Sequence, residues 1–222
     1  MIKKMILIRH GESNGNVMKK FSGFQDVELT EKGIWQAKRL AQRLKKLKVD
    51  KVYCSDLKRA HHTAEIVFKN RRIDIISRSN LKEMNFGIWE GCTFEEVKSK
   101  FGYGDEFNYW MENINVAESI PQGESLLKLN KRVMNELDRI LKIHKTIEKD
   151  ETIAIVCHGG TIRVILVNAL NMKLENMWNI VQHSTALNVI SYSGNSIFIN
   201  LMNDISHLED WWENGKNKSK DN

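Results

Sequence analysis

The chain of 222 residues holds one proline, Pro121, and three cysteines, Cys54, Cys92 and Cys157. The cysteines have neither disulfide nor metal-ligand spacing, and two of them lie in strand-like apolar runs. A disulfide framework and a structural zinc site are set aside, and buried thiols in a reducing cytoplasm are expected. No stretch approaches the ~20 apolar residues of a membrane span, and the N-terminus runs into a strand instead of a signal peptide. Internal repeats and linker-like segments are missing too. One domain over residues 1–214 is therefore expected, with a charged, frayed tail over 215–222. The net charge of +6 comes without a basic stripe interleaved with aromatics. A nucleic-acid partner is thus not expected, and the charge reads as a solvated surface with a mild pull on anionic substrates.

What is present is alternation of strand and helix patterns. Ile6-Leu7-Ile8, Lys51-Val52-Tyr53-Cys54 and Thr152–Cys157 read as buried parallel strands, and Ile73-Asp74-Ile75-Ile76 as a further one. Thr30 opens a helix to about residue 48, with Ile34, Ala37, Leu40, Ala41, Leu44 and Leu47 on one face. A second helix runs from Arg59 to about 69. Thr93-x-x-Glu96 is a capping box for a short helix over 94–101. A long helix extends from Glu124 to about 148, with Leu126, Leu129, Val133, Leu137, Ile140 and Leu141 inward. Strands near 186–192 and 196–202 close the order. Residues 102–123, which include Pro121, are the least regular. The pattern predicts an α/β fold, a three-layer α/β/α sandwich around a mostly parallel sheet.

Three of the strand-like runs end in chemistry. The first ends in Arg9-His10-Gly11-Glu12-Ser13, the second in Ser55 to Ala60 with Arg59, and the third in His158-Gly159-Gly160-Thr161. Arg9-His10 alone is equally a charged strand end. Open α/β sheets, however, bind ligands at the carboxyl ends of their strands. Two arginines and two histidines converging there describe a site for a dianion, most simply phosphate. His61-His62 are adjacent on a helix and point apart, so they make no metal pair. Gly102-Tyr103-Gly104 lacks the context of a phosphate loop. Trp211-Trp212 reads as a packing anchor.

The motifs resemble those of the histidine phosphatase superfamily, the phosphoglycerate mutase-like clan. The matching stretches are Arg9–Asn16, Ser55-x-Leu57-x-Arg59-Ala60-x-x-Thr63-Ala64, Leu81-x-Glu83-x-x-Phe86-Gly87-x-Trp89-Glu90-Gly91 and Cys157-His158-Gly159-Gly160-x-Ile162-Arg163, in the family's order, with Gly23-x-x-Asp26-x-x-Leu29-Thr30-x-x-Gly33 between the first two. The resemblance implies a phosphoglycerate mutase-like fold and a phosphate pocket of Arg9, His10, Arg59 and His158. His10 would be the nucleophile that forms a phosphohistidine, kept unprotonated by the two arginines. Glu83 would be the general acid by motif position, with Glu12, Glu65 and Glu90 as nearby alternatives. Glu12 would orient, and Glu90, in the turn, would lie outside the pocket. Asn16 would bind a phosphate oxygen. Ser22, Gly23 and Gly159 would line the substrate site.

Within the superfamily, Glu83-Met84-Asn85-Phe86-Gly87 lacks the arginine of cofactor-dependent phosphoglycerate mutases, and the region from Trp89 to Pro121 is short. Pro121-Gln122-Gly123-Glu124-Ser125 resembles a motif of the phosphatase branch, whose members include α-ribazole phosphatase of cobalamin synthesis and broad-specificity phosphatases. The reading is a histidine acid-type phosphatase. It needs no metal and no cofactor and acts on a small phosphomonoester, α-ribazole phosphate being one candidate. It has no membrane partner, and a homodimer is left open. The alternatives are a phosphoglycerate mutase and a catalytically weak phosphate-binding or partner-docking protein. The complete set of five site residues weighs against the last.

Overall fold

The computed structural model describes residues 1–101, 116–147, 149–194 and 196–209. Gly102–Gly104, Trp211-Trp212 and the tail over 215–222 lie outside the described residues. Six strands form one mixed sheet: β1 (Ile2–Arg9), β2 (Lys51–Cys54), β3 (Ile75–Ser77), β4 (Glu151–Cys157), β5 (Leu187–Ser193) and β6 (Ser196–Asp204). Their order across the sheet is β3-β2-β4-β1-β5-β6. The first four are mutually parallel, β1 pairs antiparallel with β5, and β5 with β6.

The helices are α1 (Asn14–Val17), α2 (Glu31–Leu44), α3 (Lys58–Phe68), α4 (Phe94–Lys100), α5 (Leu126–Lys145) and α6 (Gly159–Ala169). β1 and β4 are buried on both faces, and that is why they read as unbroken apolar runs. Ile6, Ile8, Val52, Cys54, Ala154 and Val156 face Ala37, Leu40 and Leu44 of α2 and Ala64, Val67 and Phe68 of α3. Met5, Leu7, Tyr53, Ile153 and Ile155 face Leu129, Val133, Leu137 and Ile140 of α5 and Ile162, Ile165 and Leu166 of α6. The sandwich therefore has three layers, with two helices on each face of the sheet. Cys54 and Cys157 are buried thiols.

Local signals set most boundaries. The Thr30 hydroxyl accepts from the Gly33 N–H at 3.0 Å and starts α2. The Thr93–Glu96 box forms as read, with Thr93 N–H to Glu96 at 2.8 Å and Glu96 N–H to Thr93 at 3.2 Å. Three expectations are corrected. β3 covers only Ile75–Ser77, because its pairing with Val52–Cys54 leaves Ile73 and Asp74 outside the ladder. α2 ends at Leu44 instead of near 48. α5 starts at Leu126, because the Ser125 hydroxyl caps it by accepting the Lys128 N–H at 3.2 Å, and it ends at Lys145.

Candidate active site

β1, β2 and β4 end side by side, at Arg9, Cys54 and Cys157. The nucleophile candidate follows directly. The His10 N–H donates to the Cys157 carbonyl at 3.0 Å, and the His10 carbonyl accepts from the Thr185 N–H at 3.2 Å. The backbone at His10 is thus fixed by the end of β4 on one side and by the turn before β5 on the other. Nδ1 of His10 lies 2.7 Å from the Gly11 carbonyl oxygen. A carbonyl can only accept, so Nδ1 carries the proton, and the lone pair of the neutral ring sits on Nε2. His10 is 3% exposed. Burial, then Arg59, then Arg9 hold its pKa well below the ordinary histidine value. The arginines contribute as the sequence suggests, but desolvation is the larger cause.

His158 is completely buried, and its ring stands edge-on to His10 with centroids 5.1 Å apart. It is the N-cap residue of α6, so the helix begins at the site and turns its partial positive charge toward it. Neither ring nitrogen of His158 has a hydrogen-bond partner among the described residues, and neither has Nε of Arg9. Such buried atoms are costly unless something satisfies them. Burial and the surrounding arginines hold His158 well below its ordinary pKa.

Arg9 is fixed from behind. Its Nη1 donates to the Gln182 carbonyl. The Gln182 side chain exchanges two hydrogen bonds with Asn188, at 3.0 and 2.9 Å. Burial takes the Arg9 pKa down to about 10, which leaves the guanidinium charged at neutral pH. Arg59 extends from the first turn of α3, is 2% exposed, and donates to the Gln25 and Gly23 carbonyls at 2.7 and 2.8 Å. Thr63, one turn further along α3, accepts the Gly11 N–H at 3.0 Å and donates to the Arg59 carbonyl at 2.6 Å. The two sequence motifs are bonded to each other by this hydroxyl.

Glu83 reaches the same place from the other side. Its Oε2 accepts the Gly160 N–H at 3.1 Å and its Oε1 the Met84 N–H at 2.9 Å. A Cβ on Gly160 would lie 2.3 Å from Oε1, so the second glycine of the pair is what admits the carboxylate. At Gly159 a Cβ would stand 3.6 Å from Arg9 Nε, 3.8 Å from Glu83 Oε2 and 3.5 Å from Arg163 Nη1. These three groups therefore surround one point. The segment carrying Glu83 is held from α5. Arg132 pairs with Glu124 at 2.8 Å and donates to the carbonyls of Asn80, Lys82 and Glu83. Glu124 in turn accepts the Asn85 N–H at 3.0 Å. That is the use the fold makes of the Pro121–Ser125 motif.

The structure thus brings Arg9, His10, Arg59, Glu83, His158 and Gly159 together. Asn16 is partly buried, with its carboxamide oxygen taken by the Ser13 N–H at 3.1 Å and hydroxyl at 2.9 Å. Its nitrogen remains as the donor end. Gly23 is present through its carbonyl on Arg59, while the Ser22 hydroxyl turns back to the Lys20 carbonyl at 3.4 Å. Glu12 orients, as read: it pairs with Lys32 at 2.9 Å and accepts from Thr30 at 3.0 Å. Glu90 reaches the loop behind Arg59. Its Oε1 accepts the Phe24 N–H at 2.7 Å, in the loop that holds Arg59.

Arg163, Gly160 and Arg132 are site neighbours to which the sequence reading gives no role, and it gives Glu90 only the place of an alternative acid outside the pocket. Arg163, Gly160 and Glu90 stand inside recognised motifs, so the signal was available for them. Among the described residues, no group of three or more His, Cys, Asp or Glu side chains is arranged to hold a metal. No helix among them is long and apolar enough to cross a membrane.

Known proteins are similar to this chain in sequence and fold. Phosphoserine phosphatase 1 of Hydrogenobacter thermophilus is 31% identical over 209 residues, covering 94% of this chain and 96% of that protein. The α-ribazole phosphatase of Shigella flexneri superposes with a TM-score of 0.81 at 28% identity, covering 91% of this chain and 96% of that one. A mutant phosphoserine phosphatase of Entamoeba histolytica in complex with phosphoserine superposes with a TM-score of 0.77 at 30% identity, covering 92% and 98%. The sequence profile of the histidine phosphatase superfamily (branch 1) matches residues 5–205, and the chain belongs to that family.

Proposed function

We propose that the protein is a phosphomonoesterase that works through a phosphohistidine on His10 and hydrolyses a small phosphorylated metabolite. One observation carries the reading. Buried polar atoms of Arg9 and His158 have no partner among the described residues, and they sit at the strand ends beside a neutral imidazole and a second buried arginine. A phosphoryl group supplies acceptors for the Arg9 Nε–H and for the one N–H of the neutral His158 ring. In this reading Nε2 of His10 attacks phosphorus in line, and the P–O bond to the leaving group breaks as the P–N bond forms. Arg9, Arg59 and His158 hold the non-bridging oxygens, and Asn16 adds a donor through its amide nitrogen. Glu83 gives its proton to the leaving oxygen. Water then attacks the phosphohistidine and returns His10 with release of phosphate. Ser22, Gly23 and Gly159 line the substrate side. The phosphatase names of the relatives support hydrolysis, and two substrates among those names, phosphoserine and α-ribazole phosphate, head the screen.

The test is a phosphate-release screen over phosphomonoesters with and without chelator, combined with rapid quenching of labelled substrate. The expected result is chelator-insensitive turnover and an acid-labile, alkali-stable phosphoprotein, both lost in His10→Ala. Full activity of His10→Ala, or complete loss of wild-type activity in chelator, overturns the proposal. Rapid interconversion of 2- and 3-phosphoglycerate, primed with bisphosphoglycerate and releasing little phosphate, would favour a mutase instead.

A further inference from the structure

We infer that Glu90 is a positioning residue for the phosphate clamp: its carboxylate bolts the 22–25 loop to the acid-bearing segment and thereby fixes the guanidinium of Arg59. The inference rests on Arg59 being that clamp, as proposed above. Arg59 spends two of its donors on the loop, at Gln25 O (2.7 Å) and Gly23 O (2.8 Å). Those two bonds set the plane of the guanidinium, so its aim is as steady as the loop. The loop has no regular structure to steady it.

Glu90 supplies the missing restraint. Its Oε1 accepts the Phe24 N–H at 2.7 Å from the loop and the Phe86 N–H at 3.2 Å from the acid-bearing segment. One oxygen thus joins the strip behind Arg59 to the strip that carries Glu83. The fold makes room for it at Gly23, whose φ of +32° is in the left-handed region and whose Cβ would lie 2.1 Å from that oxygen. The strips on either side are laced as well. Phe21 N–H donates to Cys92 O at 2.9 Å and Gly91 N–H to Phe21 O at 2.8 Å. The Phe21 ring packs on Phe86 at 5.0 Å and Trp89 at 5.8 Å.

The chemistry of the group agrees with this role. Half-burial pushes the Glu90 carboxyl up from its ordinary value, while the backbone N–H bonds and then the field of Arg59 act against the rise. A carboxylate is being held where burial disfavours it because donors and a cation converge on it. Its oxygen is committed to backbone N–H groups, so its action on the substrate runs through Arg59.

A double-mutant cycle separates this coupling from general support of the fold. The variants are Glu90→Ala, Glu90→Gln, Arg59→Lys and Glu90→Ala/Arg59→Lys. Each is measured for kcat/KM with p-nitrophenyl phosphate, for binding of inorganic phosphate and for melting temperature. Glu90→Ala should lower kcat/KM about 10- to 100-fold with Arg59 in place and less than about 3-fold in the Arg59→Lys background, the size of coupling that contacting groups show. Glu90→Gln keeps an acceptor oxygen and should recover part of the loss. If Glu90→Ala does not fold, Glu90→Asp, whose shorter side chain withdraws the carboxylate from the Phe24 N–H, should show the same non-additivity. Equal losses in both backgrounds, or no loss at all, overturn the inference. Wild-type activity in Arg59→Lys would instead overturn the clamp itself.

Discussion

Two buried imidazoles sit in this sheet sandwich in opposite circumstances. His144, near the end of α5, has both ring nitrogens engaged: Nδ1 with the Glu151 carboxylate and Nε2 with the Tyr53 hydroxyl at 2.9 Å. His158, at the strand ends, is equally buried and has neither nitrogen engaged. The first is a satisfied polar network that stitches α5 to β2 and β4. The second lies among arginines, and neither of its nitrogens finds a partner among the described residues. Burial alone does not separate structure from function here. For these two imidazoles the account of hydrogen bonds does: one is satisfied by side chains of the fold, and the other is left for a ligand to complete.

The comparison can be sharpened by substitutions at each end. The largest effect belongs to Glu83. Glu83→Gln should slow single-turnover phosphorylation by an alkyl phosphate on the order of 10²–10⁴-fold, the usual worth of a positioned proton donor. With p-nitrophenyl phosphate, whose leaving group needs little protonation, the loss should be much smaller. Arg59→Lys weakens the hold on the phosphoryl group itself, so both substrates should suffer alike. Equal losses for both substrates in Glu83→Gln would mean that Glu83 positions phosphate instead of donating a proton.

Next in size is the glycine pair. Gly160→Ala places a methyl group 2.3 Å from the Glu83 carboxylate, whereas Gly159→Ala makes ordinary contacts at 3.5–3.8 Å. Gly160→Ala should lose about 10²-fold in turnover of an alkyl phosphate, the scale of a misplaced catalytic group. The loss for Gly159→Ala should be clearly smaller. Kinetics of the two single variants on one substrate decide this, and the reverse ranking would move the acid away from α6.

At the satisfied end the expectation is inverted. Glu151→Gln or His144→Leu should cost about 1–3 kcal/mol of stability, the penalty for unpaired buried partners. At a temperature where the variant is folded, kcat should stay within about twofold of wild type, as a denaturation curve and a kinetic run would show. A large fall in kcat there would couple the two ends and break the contrast.

The smallest effect is acid sensitivity. His207 donates from Nε2 to Thr185 at 2.9 Å, and Thr185 holds the His10 carbonyl. Burial takes its pKa down to about 4. Below the ordinary histidine value near 6.5 the unfolded chain binds a proton that the folded chain refuses. Stability should therefore fall as pH drops from about 6.5 to about 4, and level off with respect to this residue below that. Chemical denaturation at stepped pH should show a shallower slope for His207→Gln, and an unchanged slope would contradict the assignment.

Much of this molecule was legible from the chain. β1 and β4 announced themselves as apolar runs because both faces are covered, and Arg9, His10, Arg59 and His158 followed because they stand at strand ends or in the turn just beyond. Glu83 was legible only through its motif, since nothing local marks it. The long helix was readable in its apolar stripe, but Glu136 and His144 lie buried on it at 1% exposure against the polarity pattern. Glu136 meets Arg78 and Asn80, and His144 meets Tyr53, all remote in sequence. Arg132 escaped assignment, and the bond from Glu90 to the Phe24 loop went unread, for the same reason: each acts on backbone groups brought near only by the fold. Thr185, a β-branched residue at φ +57°, is a local strain that no pattern of side chains reveals.

The central claim is that the unpartnered atoms at the strand ends await a phosphoryl group. The most direct measurement is thermal denaturation of wild type, His158→Leu and His144→Leu across a titration of inorganic phosphate. A ligand that binds the folded state raises the melting temperature with its concentration. The account predicts a dose-dependent rise for wild type and a similar rise for His144→Leu from a lower starting point. The rise should be reduced or absent in His158→Leu. A wild type that phosphate does not stabilise, or a His158→Leu variant stabilised as strongly as wild type, would contradict it.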